Sequence, residues 1–177
     1  MKKSDILSMP DYFYTYINLV EDGELNLCLN KYLHEISKIN IKELEALGDQ
    51  VYAPNKWTVK DIIQHVIDTE RILCYRALRF ARNDRNELPG FEENSFAENT
   101  TANNRSIKDM LDEFAIVRKG SIALFNNFND EMLNRSGKAS GREISVLALG
   151  FVLTGHQIHH FNIIKERYLP LLQQTVE

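Results

Sequence analysis

Hydrophobic residues recur at three- and four-residue spacing in four stretches of the chain, which is the pattern of amphipathic helices. The four predicted helices run from about Glu24 to Ile39, from just after Trp57 to about Arg82, from Ser106 to about Phe128, and from about Ser145 to Leu169. Together they predict an all-α four-helix bundle of the up-and-down type. The aromatic segment between Pro10 and Gly23 predicts a short additional helix across one end of that bundle.

Two of the predicted helices begin with a capping signal. Thr58 with Asp61, and Ser106 with Asp109, place a hydroxyl oxygen where it can accept a hydrogen bond from an early backbone N–H. The aspartate of each pair complements the positive end of the helix dipole. Between the second and third helices, residues 86–105 contain turn-forming residues and no hydrophobic periodicity. We therefore expect a long loop there, and we interpret it as a lid or a wrapping segment, because loops of this length in compact domains are usually functional.

Length and composition narrow the class of protein. A chain of 177 residues with 8 glycines and 4 prolines favours a single helical domain over residues 1–177. The formal net charge of −4 argues against binding to nucleic acid or anionic lipid, and no apolar run reaches the ~18 residues of a membrane span. Two cysteines without CxxC spacing fit a reducing compartment. We expect a cytoplasmic protein whose partner is a small molecule, and the sequence leaves open a homodimer formed through the aromatic N-terminal segment.

The candidate chemistry lies in the fourth helix, where GHQIHH places His156 and His160 four residues apart on one face. That face is a hydrophobic stripe comprising Val146, Leu149, Leu153, His156, His160, Ile163 and Arg167, so both imidazoles are predicted in the core. His159 lies off the stripe and is expected at the surface. Two imidazoles without partners in an apolar interior would cost several kcal/mol, and a divalent metal satisfies both at once. Because Gln157 replaces the glutamate of the HExxH motif, a zinc-protease site of that type is not expected.

A third metal ligand is expected from the second helix. His65 belongs to a row beside the main hydrophobic stripe of that helix, which also contains Ile62, Thr69, Ile72 and Arg76. Three histidines from two helices, with one coordination position left open, are typical of a catalytic metal site. Imidazole binds zinc, nickel, copper and iron alike, and zinc or nickel is the ion that we expect first.

Two further residues of the second helix are candidates for the catalytic machinery, whose other members the sequence leaves unknown. Asp68, three residues after His65, could orient a metal ligand or act as a base, or it could be a solvated carboxylate. Arg76 continues the row of His65 and belongs to a basic half of the helix. That half could attract an anionic co-substrate or could pair with nearby acids. Cys28 and Cys74 lie in apolar settings that are typical of inert buried thiols.

Three segments resemble the DinB-like, or YfiT-like, family of metal-dependent enzymes. They are KWTVKDIIQHVIDTERILCYRALRFARND (Lys56 to Asp84), LPGF (Leu88 to Phe91) and GHQIHHFNIIKERYLP (Gly155 to Pro170). The resemblance implies a four-helix bundle whose metal ligands are His65, His156 and His160, which are the residues that the helix patterns also select. It further implies an activity class. Related bundles transfer low-molecular-weight thiols such as bacillithiol, mycothiol or glutathione, and other members are described as metal-dependent hydrolases.

The leading hypothesis is therefore a metal-dependent transfer of a low-molecular-weight thiol to an electrophilic small molecule. A metal bound by three neutral imidazoles keeps its charge and an open position, so it can bind a thiol as the nucleophilic thiolate. Hydrolysis is the alternative, with water at the same position and the pKa of that water lowered toward ~7. A hypothesis of another class is a non-catalytic stress-response binding module whose metal is structural or absent.

Overall fold

Four long helices form the body of the molecule, and they lie where the hydrophobic spacing predicts them. The computed structural model describes residues 1–174, and residues 175–177 of the predicted domain lie outside the described residues. The helices are α1 (Tyr14–Asn18), α2 (Leu25–Ile36), α3 (Ile41–Leu47), α4 (Val59–Ala81), α5 (Glu93–Glu98), α6 (Ile107–Asn126), α7 (Asp130–Asn134), α8 (Val146–Ile163) and α9 (Leu171–Gln174). The long helices α2, α4, α6 and α8 pack together, which confirms the predicted all-α four-helix bundle.

The N-terminal ends of α4 and α6 are capped as predicted. Thr58 Oγ1 accepts a hydrogen bond from the backbone N–H of Asp61 at 3.1 Å. The Asp61 carboxylate in turn accepts from the backbone N–H of Thr58 at 3.0 Å, which completes a reciprocal capping box. Ser106 Oγ accepts from the backbone N–H of Asp109 at 3.1 Å. The first of these caps defines where α4 begins, and it places His65 about two turns into the helix.

The order of neighbours in the bundle differs from that of a simple up-and-down bundle. Helix α2 packs against α6 and α8, and α4 packs against the same two helices, so α2 and α4 occupy opposite corners. In a simple up-and-down bundle, consecutive long helices would be neighbours. The connection between α2 and α4, residues 37–58, includes α3 and is long enough to cross an end of the bundle, which permits this placement.

Buried polar residues divide the core into two hydrophobic clusters. Along α4, residues 59–67 contribute to one cluster and residues 73–81 to the other, with the buried Glu70 between them. Arg118 has the corresponding position on α6, and His156 has it on α8. Each of these three helices thus carries a buried polar residue between the two clusters, near the middle of the bundle. No helix within residues 1–174 is both long and apolar enough to cross a membrane.

Several elements lie where the sequence patterns do not predict them, and two of them, α3 and a β-hairpin, extend the connections between the long helices. Helix α3 is capped by Asn40, whose side chain accepts from the backbone N–H of Glu43 at 3.4 Å. Helix α2 ends at Ile36, three residues before the predicted Ile39. The second element is an antiparallel hairpin of β1 (Ser136–Ala139) and β2 (Arg142–Ser145). Its two-residue turn has positive φ at both Ser140 (52°) and Gly141 (77°), as hairpin turns of type I′ require.

The predicted long loop, residues 86–105, connects α4 to α6, and it contains short stretches of regular structure. It includes α5 and a 3-10 turn, Ala102–Asn104. At its N-terminal end, the backbone N–H of Leu88 donates to the carbonyl of Lys138 in the hairpin at 2.9 Å. At its C-terminal end, Asn103 Nδ2 donates to the carboxylate of Asp61 at 3.1 Å. The segment is therefore attached to the bundle at both ends, and α5 lies against α4 between the attachments.

Candidate metal centre

Three buried imidazoles from two helices converge at one point in the bundle. Nε2 of His156 lies 3.1 Å from Nε2 of His65 on α4 and 3.1 Å from Nε2 of His160, one turn further along α8. The ligand atoms of the three residues all lie within 4.8 Å of one another. The structure thus brings together all three of the histidines that the sequence predicts as metal ligands.

Aromatic rings pack against the three imidazoles. The ring of Trp57 lies 4.8 Å from that of His65, and the ring of Tyr16 lies 5.3 Å from that of His156. Tyr16 belongs to α1, which crosses α8 at Gly155. The same tyrosine ring lies 5.2 Å from His159, so His159 is half-buried under α1 and not at the surface as expected. The spacing along α8 could not reveal this contact, because it depends on a segment far away in the sequence.

Burial keeps the three imidazoles neutral. Removal from water lowers the pKa of His65 to about 4 and that of His160 to about 3, and the neighbouring histidines add to both effects. The pKa of His156 is lowered well below its usual 6.5, by burial first and then by the charges that His160 and His65 would carry. At neutral pH the nitrogens that face one another are therefore available as metal ligands, which bind in the unprotonated form.

Hydrogen bonding within the protein cannot satisfy this arrangement. Nε2 of a neutral imidazole carries either one proton or one lone pair, so it can make one good hydrogen bond in the plane of the ring. Nε2 of His156 faces two imidazole nitrogens, each at 3.1 Å. Two nitrogens bound to one tetrahedral Zn²⁺ lie roughly 3.3 Å from each other. The residues present therefore fit a divalent cation, which accepts lone pairs from all three rings.

Nδ1 of His160 is buried and has no hydrogen-bond partner among the described residues. The ring of His160 is instead oriented by packing, with the rings of His156 and His65 at 4.4 Å and 4.8 Å. Metal-binding histidines usually donate their second ring N–H to a carboxylate or carbonyl oxygen. The orientation of this imidazole therefore depends on its neighbours in the cluster.

Two spaces adjoin the histidines. The aromatic cavity has a volume of about 240 Å³ and is lined by His160 together with the rings of Tyr52, Trp57 and Tyr168. The small space, of about 10 Å³, is lined by His65, Asp68, Phe91 and Phe96, and it is large enough for about one water molecule. Glu93 on α5 lines both spaces. A molecule that enters the aromatic cavity thus reaches the edge of the histidine cluster.

Asp68, one of the two candidates from the second helix, lies beside the cluster. It lines the small space with His65, and it accepts a hydrogen bond from Gln64 Nε2 at 2.9 Å. Nη1 of Arg71 lies 3.6 Å from the same carboxylate. Burial raises the pKa of Asp68 despite these partners. Asp68 is thus held in place by its own helix, and a catalytic role for it stays a prediction.

Arg76, the other candidate, does not lie with the histidines. It is eleven residues after His65, which is roughly 16 Å along the helix. Its guanidinium donates to the carbonyl oxygen of Pro89 at 3.0 Å and to Ser140 Oγ at 3.1 Å. Arg76 therefore joins α4 to the segment before α5 and to the turn of the hairpin.

Most of the other charged and thiol groups have structural partners. Glu70 accepts two hydrogen bonds of 2.8 Å from the buried Arg118, a residue that the sequence analysis did not single out. Arg71 donates to Glu113 at 2.6 Å, which favours the interpretation of the basic half of α4 as a face paired with acids. Cys74 is half-buried, and burial raises the pKa of its thiol to about 12, which favours the unreactive protonated form. Cys28 is buried.

The sequence analysis missed two residues that lie near the cluster, Tyr16 and Glu93. Burial raises the pKa of Tyr16, and the charge of Glu93 raises it further, so the two side chains lie within electrostatic reach of each other. Tyr16 could have been suspected from the aromatic segment that contains it. Glu93 lies among turn-forming residues without periodicity, and no signal in the sequence distinguishes it from Glu92.

Comparisons with known proteins agree with this architecture. A family model described as the DinB superfamily matches residues 40–164, which include all three histidines. The fold is similar to the solved structure of YfiT from Bacillus subtilis, which is described as a probable metal-dependent hydrolase with an unusual four-helix bundle topology. The TM-score is 0.65 at 16% sequence identity, and the match covers 93% of this chain and 89% of that one. The comparison with curated proteins gave no match.

Proposed function

Because the chain belongs to the DinB superfamily, we propose that it is a metal-dependent enzyme in which His65, His156 and His160 bind one divalent cation. The observation that carries this proposal is the pair of 3.1 Å contacts made by Nε2 of His156 with two other neutral imidazoles. Zinc or nickel is the expected ion, since imidazole suits both.

The residues around the histidines shield them from bulk water and line a cavity for a small molecule. A divalent cation held by three imidazoles supplies a Lewis acid, which makes a neighbouring water or thiol more acidic. Trp57 and Tyr16 cover the imidazoles of His65 and His156 and limit the access of bulk water. The aromatic cavity holds the substrate against His160, and its volume of about 240 Å³ lies below the ~300–1,000 Å³ of sites for drug-sized ligands. We therefore expect a compact substrate.

Hydrolysis is the reaction that we propose first. The structurally similar YfiT is described as a probable metal-dependent hydrolase. In the present chain, the small space beside His65 has room for about one water molecule and is lined by three carboxylates, Asp61, Asp68 and Glu93. A water with a carboxylate beside it is the arrangement that hydrolysis requires.

Transfer of a low-molecular-weight thiol is the second candidate, and one observation favours it. Lys56 lines the aromatic cavity near His160 and forms no ion pair with a described carboxylate. Bacillithiol and glutathione carry carboxylates that a lysine can bind. The cavity could accommodate the thiol end of such a molecule while its charged part lies beside Lys56.

Metal analysis tests whether the three histidines bind a divalent cation. Purified protein is analysed for zinc and nickel together with His156→Ala and with His34→Ala, which removes an exposed histidine of α2. We expect about one divalent ion per chain in the wild type and in His34→Ala, and none in His156→Ala. A wild-type protein without stoichiometric metal would contradict both enzymatic candidates and would favour a non-catalytic binding module.

Turnover distinguishes hydrolysis from thiol transfer. Chromogenic esters and amides are assayed without thiol, and a chromogenic electrophile is assayed with bacillithiol, mycothiol or glutathione, each with and without a chelator. Chelator-sensitive turnover without thiol supports hydrolysis, and chelator-sensitive turnover that requires one thiol supports transfer. The cytoplasmic location and the homodimer stay predictions.

A further inference from the structure

Three carboxylates line the small space beside His65, and two of them already accept hydrogen bonds from other groups of the protein. Asp61 accepts hydrogen bonds from the backbone N–H of Thr58 and from Asn103 Nδ2. Asp68 accepts from Gln64 and lies near Arg71. The third carboxylate, that of Glu93, has no hydrogen bond or ion pair with any side chain within residues 1–174. Among these three groups, Glu93 is the one free to take part in a reaction.

Glu93 also lies close to both spaces in which a reaction at the histidine cluster would take place. It lines the small space together with His65 and the aromatic cavity together with His160, so it lies where the two spaces meet. Asp68 lines the small space but not the aromatic cavity. A carboxylate at the junction can contact a nucleophile on one side and a bound substrate on the other.

The segment that carries Glu93 is attached to the bundle on both sides. Arg76 donates to the carbonyl oxygen of Pro89 at 3.0 Å, four residues before Glu93. Ten residues after Glu93, Thr58 Oγ1 donates to the side-chain oxygen of Asn103 at 2.8 Å. The ring of Phe91 packs on that of Phe96 at 5.0 Å across α5. These contacts hold α5 over the site without engaging the carboxylate.

We propose that Glu93 is the proton acceptor of the site. A molecule with an acidic O–H or S–H group enters beside the imidazole cluster, its proton moves to a carboxylate oxygen of Glu93, and the bonding electron pair stays on the oxygen or sulfur, which becomes the nucleophile. This inference rests on the proposed function, since it assumes a cation bound by the three histidines.

The electrostatics of Glu93 agree with this role. Burial raises the pKa of the Glu93 carboxyl group, and the charge of Glu92 raises it further. A base works best when its pKa approaches the working pH, and a raised carboxyl pKa moves in that direction. The neighbouring charged and titratable groups belong to several elements. They are Glu92 at the N-cap of α5, Asp61, His65 and Asp68 on α4, His160 on α8, Tyr16 on α1, and Tyr52, Lys56 and Tyr168 around the aromatic cavity.

Acetohydroxamic acid serves as a probe that needs no knowledge of the substrate. It is a small molecule that binds divalent cations in its deprotonated form. Its acidic proton must therefore move to another group when it binds. We compare four zinc-loaded proteins by calorimetry in buffers of different ionisation enthalpy: wild type, Glu93→Gln, Glu92→Gln and Asp68→Asn. The zinc content of each is measured first. Glu92→Gln is the matched control, because it changes the adjacent glutamate, which is exposed as Glu93 is but lines neither space.

We expect the wild type and Glu92→Gln to bind the probe with almost no proton released to the buffer, because Glu93 takes up the proton. Glu93→Gln should keep its zinc, release about one proton more, and bind the probe about 10- to 100-fold more weakly, as for the loss of a charge-assisted hydrogen bond. Equal affinity and equal proton release in Glu93→Gln and wild type would overturn the inference. A loss confined to Asp68→Asn would overturn it in favour of Asp68. If the wild type binds no zinc, the proposed function fails and this inference fails with it.

Discussion

The backbone carbonyl oxygen of Tyr16 packs so closely against Gly155 that any Cβ atom at position 155 would clash with it. This close approach is how α1 comes to lie across α8. It sets the ring of Tyr16 against the imidazoles of His156 and His159. The absence of one side chain on α8 therefore determines what covers the histidine cluster.

Replacing that glycine should disturb both stability and metal binding. In Gly155→Ala the new methyl group meets backbone atoms of Tyr16, which cannot move aside as a side chain can. We expect the free energy of unfolding to fall by about 1–3 kcal/mol, as in other overpacked cores, and zinc affinity to weaken because Tyr16 is displaced from His156. Urea unfolding and a zinc competition assay measure the two effects.

Gly120→Ala is the matched control, because an added Cβ at Gly120 on α6 meets nothing within 4 Å. There we expect a gain of about 0.5–1 kcal/mol, since alanine is the better helix former. Equal effects of the two substitutions would contradict the close contact between α1 and α8.

The pH dependence of stability should reveal the neutral imidazoles in the metal-free protein. Burial holds the pKa of His65 at about 4 in the folded state, and an unfolded histidine has a pKa of ~6.5. Between these values the unfolded chain binds more protons than the folded one, so the free energy of unfolding falls as the pH falls through this window. Urea unfolding of chelator-treated protein near pH 7 and near pH 5 measures the difference.

His65→Phe should reduce that difference, because it removes one of the groups that gain a proton on unfolding. The exposed His34 provides the control, and His34→Phe should change the difference less than His65→Phe does. If all three proteins lose the same stability between the two pH values, His65 is not buried as a neutral residue.

The bundle and the burial of His156 and His160 on one stripe could be predicted from the sequence because both depend on local spacing. His156 and His160 lie on one face of one helix, and the capping pairs that begin with Thr58 and Ser106 mark where two helices start. The covering of the site could not be predicted, since Tyr16 reaches His156 through a contact between segments 140 residues apart. The diagonal placement of α2 and α4 and the position of Glu93 likewise depend on how distant segments pack.

The buried ion pair between Glu70 and Arg118 should behave as a unit. Both side chains are almost completely buried, so removing one leaves an unpaired charge in the core. We expect Arg118→Met alone to cost about 3–5 kcal/mol of unfolding free energy, and Glu70→Met with Arg118→Met to recover much of that loss. Ser121, which donates to Glu70, also contacts the carbonyl oxygen of Val117 and so keeps a partner in the double variant.

Arg71→Met is the comparison for this cycle, because Arg71 is half-exposed and bonded to Glu113. It should cost no more than about 1 kcal/mol. A double variant as unstable as Arg118→Met alone would contradict a coupled pair.

Arg76 should act on the segment before α5 and not on the metal. Arg76→Met removes the hydrogen bonds to Pro89 and Ser140, so the backbone N–H groups of Leu88 and Ser140 should exchange with deuterium faster. Zinc affinity should stay unchanged, because His65 lies roughly 16 Å away along the helix. Unchanged exchange together with weakened zinc binding would assign Arg76 to the metal site.

Diffraction from zinc-loaded crystals tests the central claim most directly. Anomalous density measured on both sides of the zinc absorption edge locates the ion without reference to any substrate. We predict one peak per chain, about 2.0–2.1 Å from Nε2 of His65, His156 and His160. A cluster without such a peak, with the three imidazoles bonded to protein groups or water instead, would contradict the account.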